Sequence, residues 1–224
     1  MFHKKKRSYE FVSMSELSVP ALDNLILLFN SKENKKSGTI LGGRSSVLHT
    51  TIENVGPVIV KHYTRGGLVA HVNSQRYFFA KKRRGQIEFE FLIHAKKAGV
   101  SVPKPFAHAS CGSLFYKAWL ITKKIEKAQN FVEICLNDLK KAITFLPEIS
   151  ENINKLIAAS IHHIDLHPGN IIIDSSSRVY LIDFDKACYF TGERGKLKKR
   201  YRQRWQRALE KYKLSDKLSD LLLE

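Results

Sequence analysis

The run His163-Ile164-Asp165-Leu166-His167-Pro168-Gly169-Asn170 is followed by two short apolar stretches and then by Ile182-Asp183-Phe184-Asp185. The apolar stretches, 171–173 and 179–182, flank the turn sequence Asp174-Ser175-Ser176-Ser177 and read as strand, turn, strand. Such a hairpin can return Asp183 to the edge that carries Asp165 and Asn170. One carboxylate can then orient an attacking hydroxyl. An amide oxygen and the second carboxylate can hold Mg2+ on a nucleoside triphosphate. Magnesium suits a site with so few protein ligands, because it keeps water and phosphate oxygens in its other positions. Any one of these acids is commonplace in a β-hairpin. The joint match of His, Asp, Asn and Asp at these offsets points to phosphoryl transfer onto a hydroxyl.

Upstream features fit the same machinery. Leu41-Gly42-Gly43-Arg44-Ser45-Ser46 precedes a strand candidate, and glycines there let the backbone approach phosphates closely. The segment is not a full G-x-G-x-x-G, and a plain tight turn is the competing reading. Val58-Ile59-Val60-Lys61 ends an alternating strand on a lysine that can neutralise the α and β phosphates. A strand-end lysine is otherwise simply solvated. Glu88 and Glu90 lie in the following helix, and an ion pair from one of them would fix Lys61. After Asp185 there is no A-P-E segment and no long Ser/Thr-bearing activation loop. That favours a non-peptide acceptor.

These residues need elements to position them. Residues 1–37 read as polar and broken apart from a short apolar patch, with 31–38 an exposed loop. Strands are predicted at 47–52 and 58–63, joined by Glu53-Asn54-Val55-Gly56-Pro57. A helix is predicted over 86–98, ended by Gly99, Pro103 and Pro105, then a strand-like stretch over 114–125. Downstream, helices are predicted at 131–145, closed by Pro147, and at 149–161, with Ile149, Ile153, Leu156, Ile157 and Ser160 on one face. A final basic helix is predicted over 195–223. The fold class expected is α+β: a bilobal protein-kinase-like fold with a small β-rich N-lobe, 1–125, and a mostly helical C-lobe, 126–224. The N-lobe would carry the Gly-rich turn, Lys61 and the helix after it. The C-lobe would carry the catalytic loop, the metal site and the basic helix. ATP and Mg2+ are expected between the lobes.

The chain has 224 residues and a formal net charge of +17, from 38 Lys and Arg against 21 Asp and Glu. Such an excess favours an anionic partner: nucleic acid, an acidic membrane face or a phosphorylated glycolipid. The three cysteines, Cys111, Cys135 and Cys188, are far apart and form no C-x-x-C pair, so neither a disulfide framework nor a zinc site is expected. No stretch approaches the ~20 apolar residues that span a bilayer, so membrane contact is expected to be peripheral. The basic start, His3-Lys4-Lys5-Lys6-Arg7, lacks the apolar run of a signal peptide.

At these residues the chain resembles the lipopolysaccharide kinase family, the bacterial Kdo (3-deoxy-D-manno-octulosonic acid) and heptose kinases, and the Kdo kinase branch most. The resemblance covers about residues 40–210. It lies in Gly43-Arg44-Ser45-Ser46, Lys61-His62-Tyr63-x-Arg65-Gly66-Gly67-Leu68 and Arg76-Tyr77. It continues in Glu88-Phe89 leading to Gly99 and Val102-Pro103-x-Pro105, in the loop from His163 to Asn170, in Leu181-Ile182-Asp183-Phe184-Asp185-Lys186, and in a basic tail around Trp205. The spacing from Glu88 to Gly99 and Pro103 matches the family and favours Glu88 over Glu90 as the partner of Lys61. The resemblance implies Asp165 as catalytic base and Asn170 with Asp183 as metal ligands. It implies phosphorylation of the Kdo of Kdo–lipid A at its 4-hydroxyl, on the cytoplasmic face of the inner membrane. One departure is the loop D-L-H-P-G-N, where the family usually has D-L-N-A-H-N. Aminoglycoside-type and other small-molecule kinases share the form seen here.

The nucleotide contacts expected are Gly42, Gly43, Arg44, Ser45, Ser46 and Lys61, with a hinge near 121–125 whose backbone, at Ile121 and Lys123, faces the adenine. Arg194 to Lys213 is basic, with Leu197, Tyr201, Trp205, Ala208, Leu209 and Tyr212 at helical spacing. Two placements of that stripe are open: at an anionic membrane surface, or inward on the C-lobe with the charges toward solvent or lipid. Lys81-Lys82-Arg83-Arg84 adds positive charge. Nucleic acid is the competing anion, but no RNA-binding module is present and none is expected as partner. Other acceptors in view are a heptose or a small molecule. An RNA-associated kinase or a pseudokinase stands further off.

Overall fold

The computed structural model describes residues 1–31, 46–63, 83–112 and 116–220. Gly42, Gly43, Arg44, Ser45, Arg65, Arg76 and the Lys81-Lys82 pair lie outside the described residues, as does the 31–38 loop after its first residue. The chain divides into two compact units: Met1–Phe89 with Lys104–Lys124, and Glu90–Pro103 with Ile125–Glu224. The class is mixed α and β, with the large sheet in the first unit and most helices in the second.

The first unit is built on a six-stranded antiparallel sheet in the order β1-β2-β5-β6-β4-β3. Its strands are β1 (Phe2–Lys6), β2 (Tyr9–Ser13), β3 (Ser46–Ile52), β4 (Gly56–Tyr63), β5 (Pro105–Cys111) and β6 (Lys117–Lys123). The β3–β4 turn uses left-handed backbone at Asn54 and Gly56, residues that tolerate positive φ. Residues 1–31 are not broken coil. They supply β1, β2 and helix α1 (Val19–Asn30). The Ser18 hydroxyl caps α1 and Pro20 sits in its first turn. Leu22, Leu25, Ile26 and Phe29 bury one face of α1, each contributing ~1.5–3 kcal/mol. Phe29 stacks on Trp119 of β6 at 4.2 Å between ring centres. β5 was also absent from the sequence reading, because Pro103 and Pro105 masked a strand that starts on a proline.

Helix α2 (Arg84–Lys97) follows β4 in the chain among the described residues. In the second unit, α3 (Phe131–Asn137) and α4 (Leu139–Thr144) replace the single helix expected over 131–145. Asp138 breaks it by leaving helical backbone and accepting the Lys141 N–H at 3.0 Å. Pro147 does not close that helix but sits in the first turn of α5 (Leu146–Ala158), where its missing N–H costs nothing. Ile149, Ile153, Leu156 and Ile157 are buried as expected, whereas Ser160 lies past the helix end with φ +53°. Two small antiparallel sheets carry the loop region. One is β7 (Gln129–Asn130), β9 (Ile171–Ile173) and β10 (Val179–Leu181), and the other is β8 (Ile161–His162) with β11 (Cys188–Tyr189).

Helix α6 (Arg194–Tyr212) ends at left-handed Lys213, so it stops well short of residue 223. Its stripe of Leu197, Tyr201, Trp205, Ala208 and Leu209 faces inward and is buried. The Trp205 Nε1–H donates to the Leu218 carbonyl at 2.7 Å, tying the chain beyond the helix back onto it. Of the two placements left open for the stripe, this is the packed one. Lys196, Lys199, Arg202 and Arg207 remain exposed.

Candidate active site

Alternation along β4 sends Val58 and Val60 into the core and Lys61 and Tyr63 to the opposite face. There the Lys61 Nζ lies 2.8 Å from Glu88 Oε2 of α2. Glu88, rather than Glu90, is the glutamate that meets the lysine. The Tyr63 hydroxyl donates to the same Glu88 oxygen, and the Lys61 ammonium sits 5.1 Å from the Tyr63 ring centre. The pair is largely out of water, with side-chain exposures of 15% and 3%. A buried pair persists only where further hydrogen bonds support it, and Tyr63 supplies one. Gly85 lets α2 come close to β6: a Cβ there would stand 2.8 Å from the Trp119 carbonyl oxygen.

The loop from His163 to Asn170 is held from several sides. His163 is buried, and its Nε2–H donates to the Ile182 carbonyl at 2.9 Å. A carbonyl partner requires the proton on Nε2. Burial depresses the His163 pKa and outweighs the opposing pull of the Ile182 bond and Asp183, so the ring stays neutral. It packs edge-on to Phe184 at 4.4 Å. The Tyr201 hydroxyl accepts the His163 N–H and donates to the Ile161 carbonyl, both at 2.8 Å. Asn130, buried at the start of α3, donates to the Gly169 carbonyl at 2.9 Å. His167 Nδ1 accepts the Gly169 N–H at 3.0 Å, and burial followed by the Arg204 charge lowers its pKa to about 4.

These ties bring Asp165, Asn170 and Asp183 into one hydrogen-bonded neighbourhood. Asn170 Nδ2 donates to the Asp165 backbone carbonyl at 3.0 Å, and Ile182 N–H donates to the Asn170 carbonyl at 3.0 Å. Asp183 follows directly with φ +69°, a left-handed conformation that costs energy for a non-glycine and clusters at functional sites. Among the described residues, no group of three or more His, Cys, Asp or Glu side chains forms a metal cluster. Magnesium does not need one. The Asn170 amide nitrogen is committed to a carbonyl, which leaves Oδ1 as its acceptor atom.

Asp165 carries two cations. Lys186 Nζ lies 2.5 Å from Oδ2 and Arg204 Nη2 lies 3.5 Å from Oδ1. Burial raises the carboxyl pKa, but Lys186, then Arg204, more than offset it and hold the group below the ordinary carboxylate value. The sequence names Tyr63 and Lys186 only within the family motif and Tyr201 only within the helix stripe, and it does not single out Arg204. Arg204 is one basic residue in a basic run, and no local signal singles it out.

Ile121 and Lys123 lie in β6. Ile121 is fully buried, paired with Val60 on one side and Ala107 on the other. The Lys123 N–H is given to the Lys104 carbonyl at 2.9 Å, and the Lys124 N–H to the Pro57 carbonyl at 3.1 Å. Ser46 opens β3, opposite His62.

The sequence of residues 42–220 matches the model of the lipopolysaccharide kinase (Kdo/WaaP) family. The chain is 34% identical over 161 residues to the 3-deoxy-D-manno-octulosonic acid kinase of Vibrio cholerae serotype O1, covering 69% of this chain and 67% of that protein. It is 32% identical over 181 residues to the enzyme of the same name from Vibrio parahaemolyticus, covering 80% and 74%. It is 33% identical over 180 residues to that of Pasteurella multocida, covering 75% of each. The chain belongs to the lipopolysaccharide kinase (Kdo/WaaP) family. It is a phosphotransferase with a hydroxyl acceptor, and its kinase family implies the use of ATP. No described helix is long and apolar enough to cross a membrane.

Proposed function

We propose that this protein transfers the γ-phosphoryl group of ATP to the 4-hydroxyl of the Kdo sugar in Kdo–lipid A, on a two-lobed kinase-like fold. The observation that carries the reading is the hydrogen-bonded convergence of Asp165, Asn170 and the Ile182-Asp183 strand end. Family membership and the Kdo kinase names of its relatives support the acceptor.

In this reading Asp165 orients the acceptor hydroxyl and takes its proton as the oxygen attacks the γ phosphorus. The bond from that phosphorus to the β–γ bridging oxygen breaks, and ADP leaves with the electron pair. A positioned base of this kind is worth ~10²–10⁴ in rate. Lys61, held by Glu88 and Tyr63, neutralises the α and β phosphates. Gly42, Gly43, Arg44, Ser45 and Ser46 cover the phosphates. Asn170 Oδ1 and the Asp183 carboxylate would hold Mg2+, which when bound offsets negative charge on the triphosphate. With Ile121 inside the sheet and the Lys123 and Lys124 N–H groups given to carbonyls, any backbone donor to the adenine would come from beyond Lys124. The exposed basic face of α6 suits peripheral contact with an anionic cytoplasmic leaflet of the inner membrane, with the buried stripe holding the helix in place.

The test is transfer from labelled ATP to Kdo–lipid A, run beside heptose, aminoglycoside, protein and tRNA acceptors. Label on the glycolipid supports the reading. Label on a heptose or an aminoglycoside instead would replace the acceptor and keep the kinase. ATP binding without transfer to any of them would leave a pseudokinase.

A further inference from the structure

The proposed base lies in an unbalanced field. Among the described residues, the carboxylate that Lys186 and Arg204 meet is that of Asp165, so two positive charges face one negative charge. His167 adds no third positive charge, because burial and then the Arg204 charge lower its pKa to about 4. Lys186 also occupies the position the chemistry needs. Its ammonium sits on Asp165 Oδ2, a carboxylate oxygen that has to be open to accept a hydroxyl proton. Once an acceptor hydroxyl takes that oxygen, Lys186 is displaced beside the acceptor, and a new anion there would restore its partner. The lysine side chain is 54% exposed, so it can swing aside on its flexible stem. Arg204 is placed differently. It projects from α6 next to the anchored Trp205 and is only 26% exposed, so it stays near Asp165 as a fixed charge.

We propose that Lys186 and Arg204 bind a carboxylate on the acceptor sugar while its hydroxyl is phosphorylated. They thereby select an acidic sugar over neutral or cationic ones. This rests on the acceptor reading above and deepens it: an octulosonic acid carries such a group, whereas a neutral sugar would leave the displaced Lys186 uncompensated. A polyamine sugar such as an aminoglycoside would be repelled by the same pair. Arg204 presents a planar fork that matches a carboxylate, and Lys186 adds a movable point charge.

The experiment compares a soluble Kdo glycoside with its carboxamide, using the full chain and the variants Lys186→Met, Arg204→Gln and Arg204→Lys. The native enzyme should favour the acid by ~10- to 100-fold in kcat/KM, the worth of a charged hydrogen bond. Lys186→Met and Arg204→Gln should reduce that preference to a few-fold, mainly through the acceptor KM. The KM for ATP and the melting temperature should stay put, and Arg204→Lys should restore part of the preference. Equal use of acid and carboxamide by the native enzyme would overturn the inference. So would variants that keep the preference, or a loss that appears in the KM for ATP, which would place the cations on the phosphoryl group. Calorimetric binding of the two glycosides without nucleotide separates this inference from the reading beneath it. Tight, Lys186-dependent binding of the acid with no transfer to it would sink the activity and keep the contact. Transfer with no discrimination would do the reverse.

Discussion

Two ion-pair sites in this molecule are built on opposite terms. In the first unit, among the described residues, Lys61 and Glu88 match one charge with one charge, nearly out of water, and Tyr63 donates a further hydrogen bond to the carboxylate. In the second unit, Asp165 answers to both Lys186 and Arg204 and is 28% exposed. A closed, balanced pair is expensive to open, because either partner left alone is a desolvated charge. An exposed, unbalanced set can exchange partners at little cost. The first arrangement suits a group that must hold still for a phosphate chain. The second suits a group whose partner changes each turnover.

The largest effect that would test the contrast is at Asp165. Asp165→Asn should lower kcat by ~10²–10⁴ while the melting temperature barely moves. A large loss of stability instead would show that Asp165 holds the loop together. Next comes Glu88→Gln, which strands the Lys61 ammonium. Thermal or denaturant unfolding should register a loss of ~3 kcal/mol, and Lys61→Met in the same chain should recover much of it. If the double variant is no more stable than the single one, the pair is not closed in the sense described.

A smaller effect appears in pH. His62, stacked on Trp119, is held at about 4 by burial and then the Lys117 charge, and His167 at about 4 by burial and then Arg204, against an ordinary value of 6.5. The unfolded chain therefore takes up more protons between those values. Stability is complete above about 6.5 and is lost as the pH falls toward 4. Replacing either histidine with Gln should flatten that slope, by an amount on the order of 1 kcal/mol at pH 5. Because one histidine sits in each unit, the two variants report on the two regions separately. A slope unchanged in both variants would assign it to other groups.

The smallest effect on fold is expected on the outer face of α6. Lys196→Gln, Lys199→Gln and Arg207→Gln together should leave the melting temperature unchanged and weaken binding to anionic vesicles, by ~1 kcal/mol per charge near the surface. Deleting the chain from Lys196 onward is a poor substitute, since it removes the buried Leu197, Tyr201 and Trp205. Unchanged vesicle binding by the triple variant would leave that face without a membrane role.

Much of the second unit was readable because its signals are local. The strand, turn and strand after Asn170 formed within a residue of the expected positions, since alternation and turn chemistry act over a few residues. Helix ends were harder. Pro147 read as a stop and is a start, and Asp138 read as helix interior and is a break, because both outcomes depend on which neighbouring segment captures the chain. The largest omission was α1. Its Leu22-Leu25-Ile26-Phe29 face was present in the sequence, but a short apolar patch in a polar terminus counts for little until Trp119 is there to receive Phe29.

By itself, the sequence determined which chemical groups were available and the short spacings among them: an acid, an amide and a second acid around a hairpin, and a lysine at the end of an alternating strand. Only the tertiary structure decided that the Tyr63 hydroxyl joins Glu88 at that lysine, that the Tyr201 hydroxyl braces the loop at His163, and that Arg204 reaches Asp165. Periodicity and turn propensity operate over a few residues. The partners of a charge from a distant segment are chosen by how the core packs, and by the cost of leaving that charge without one.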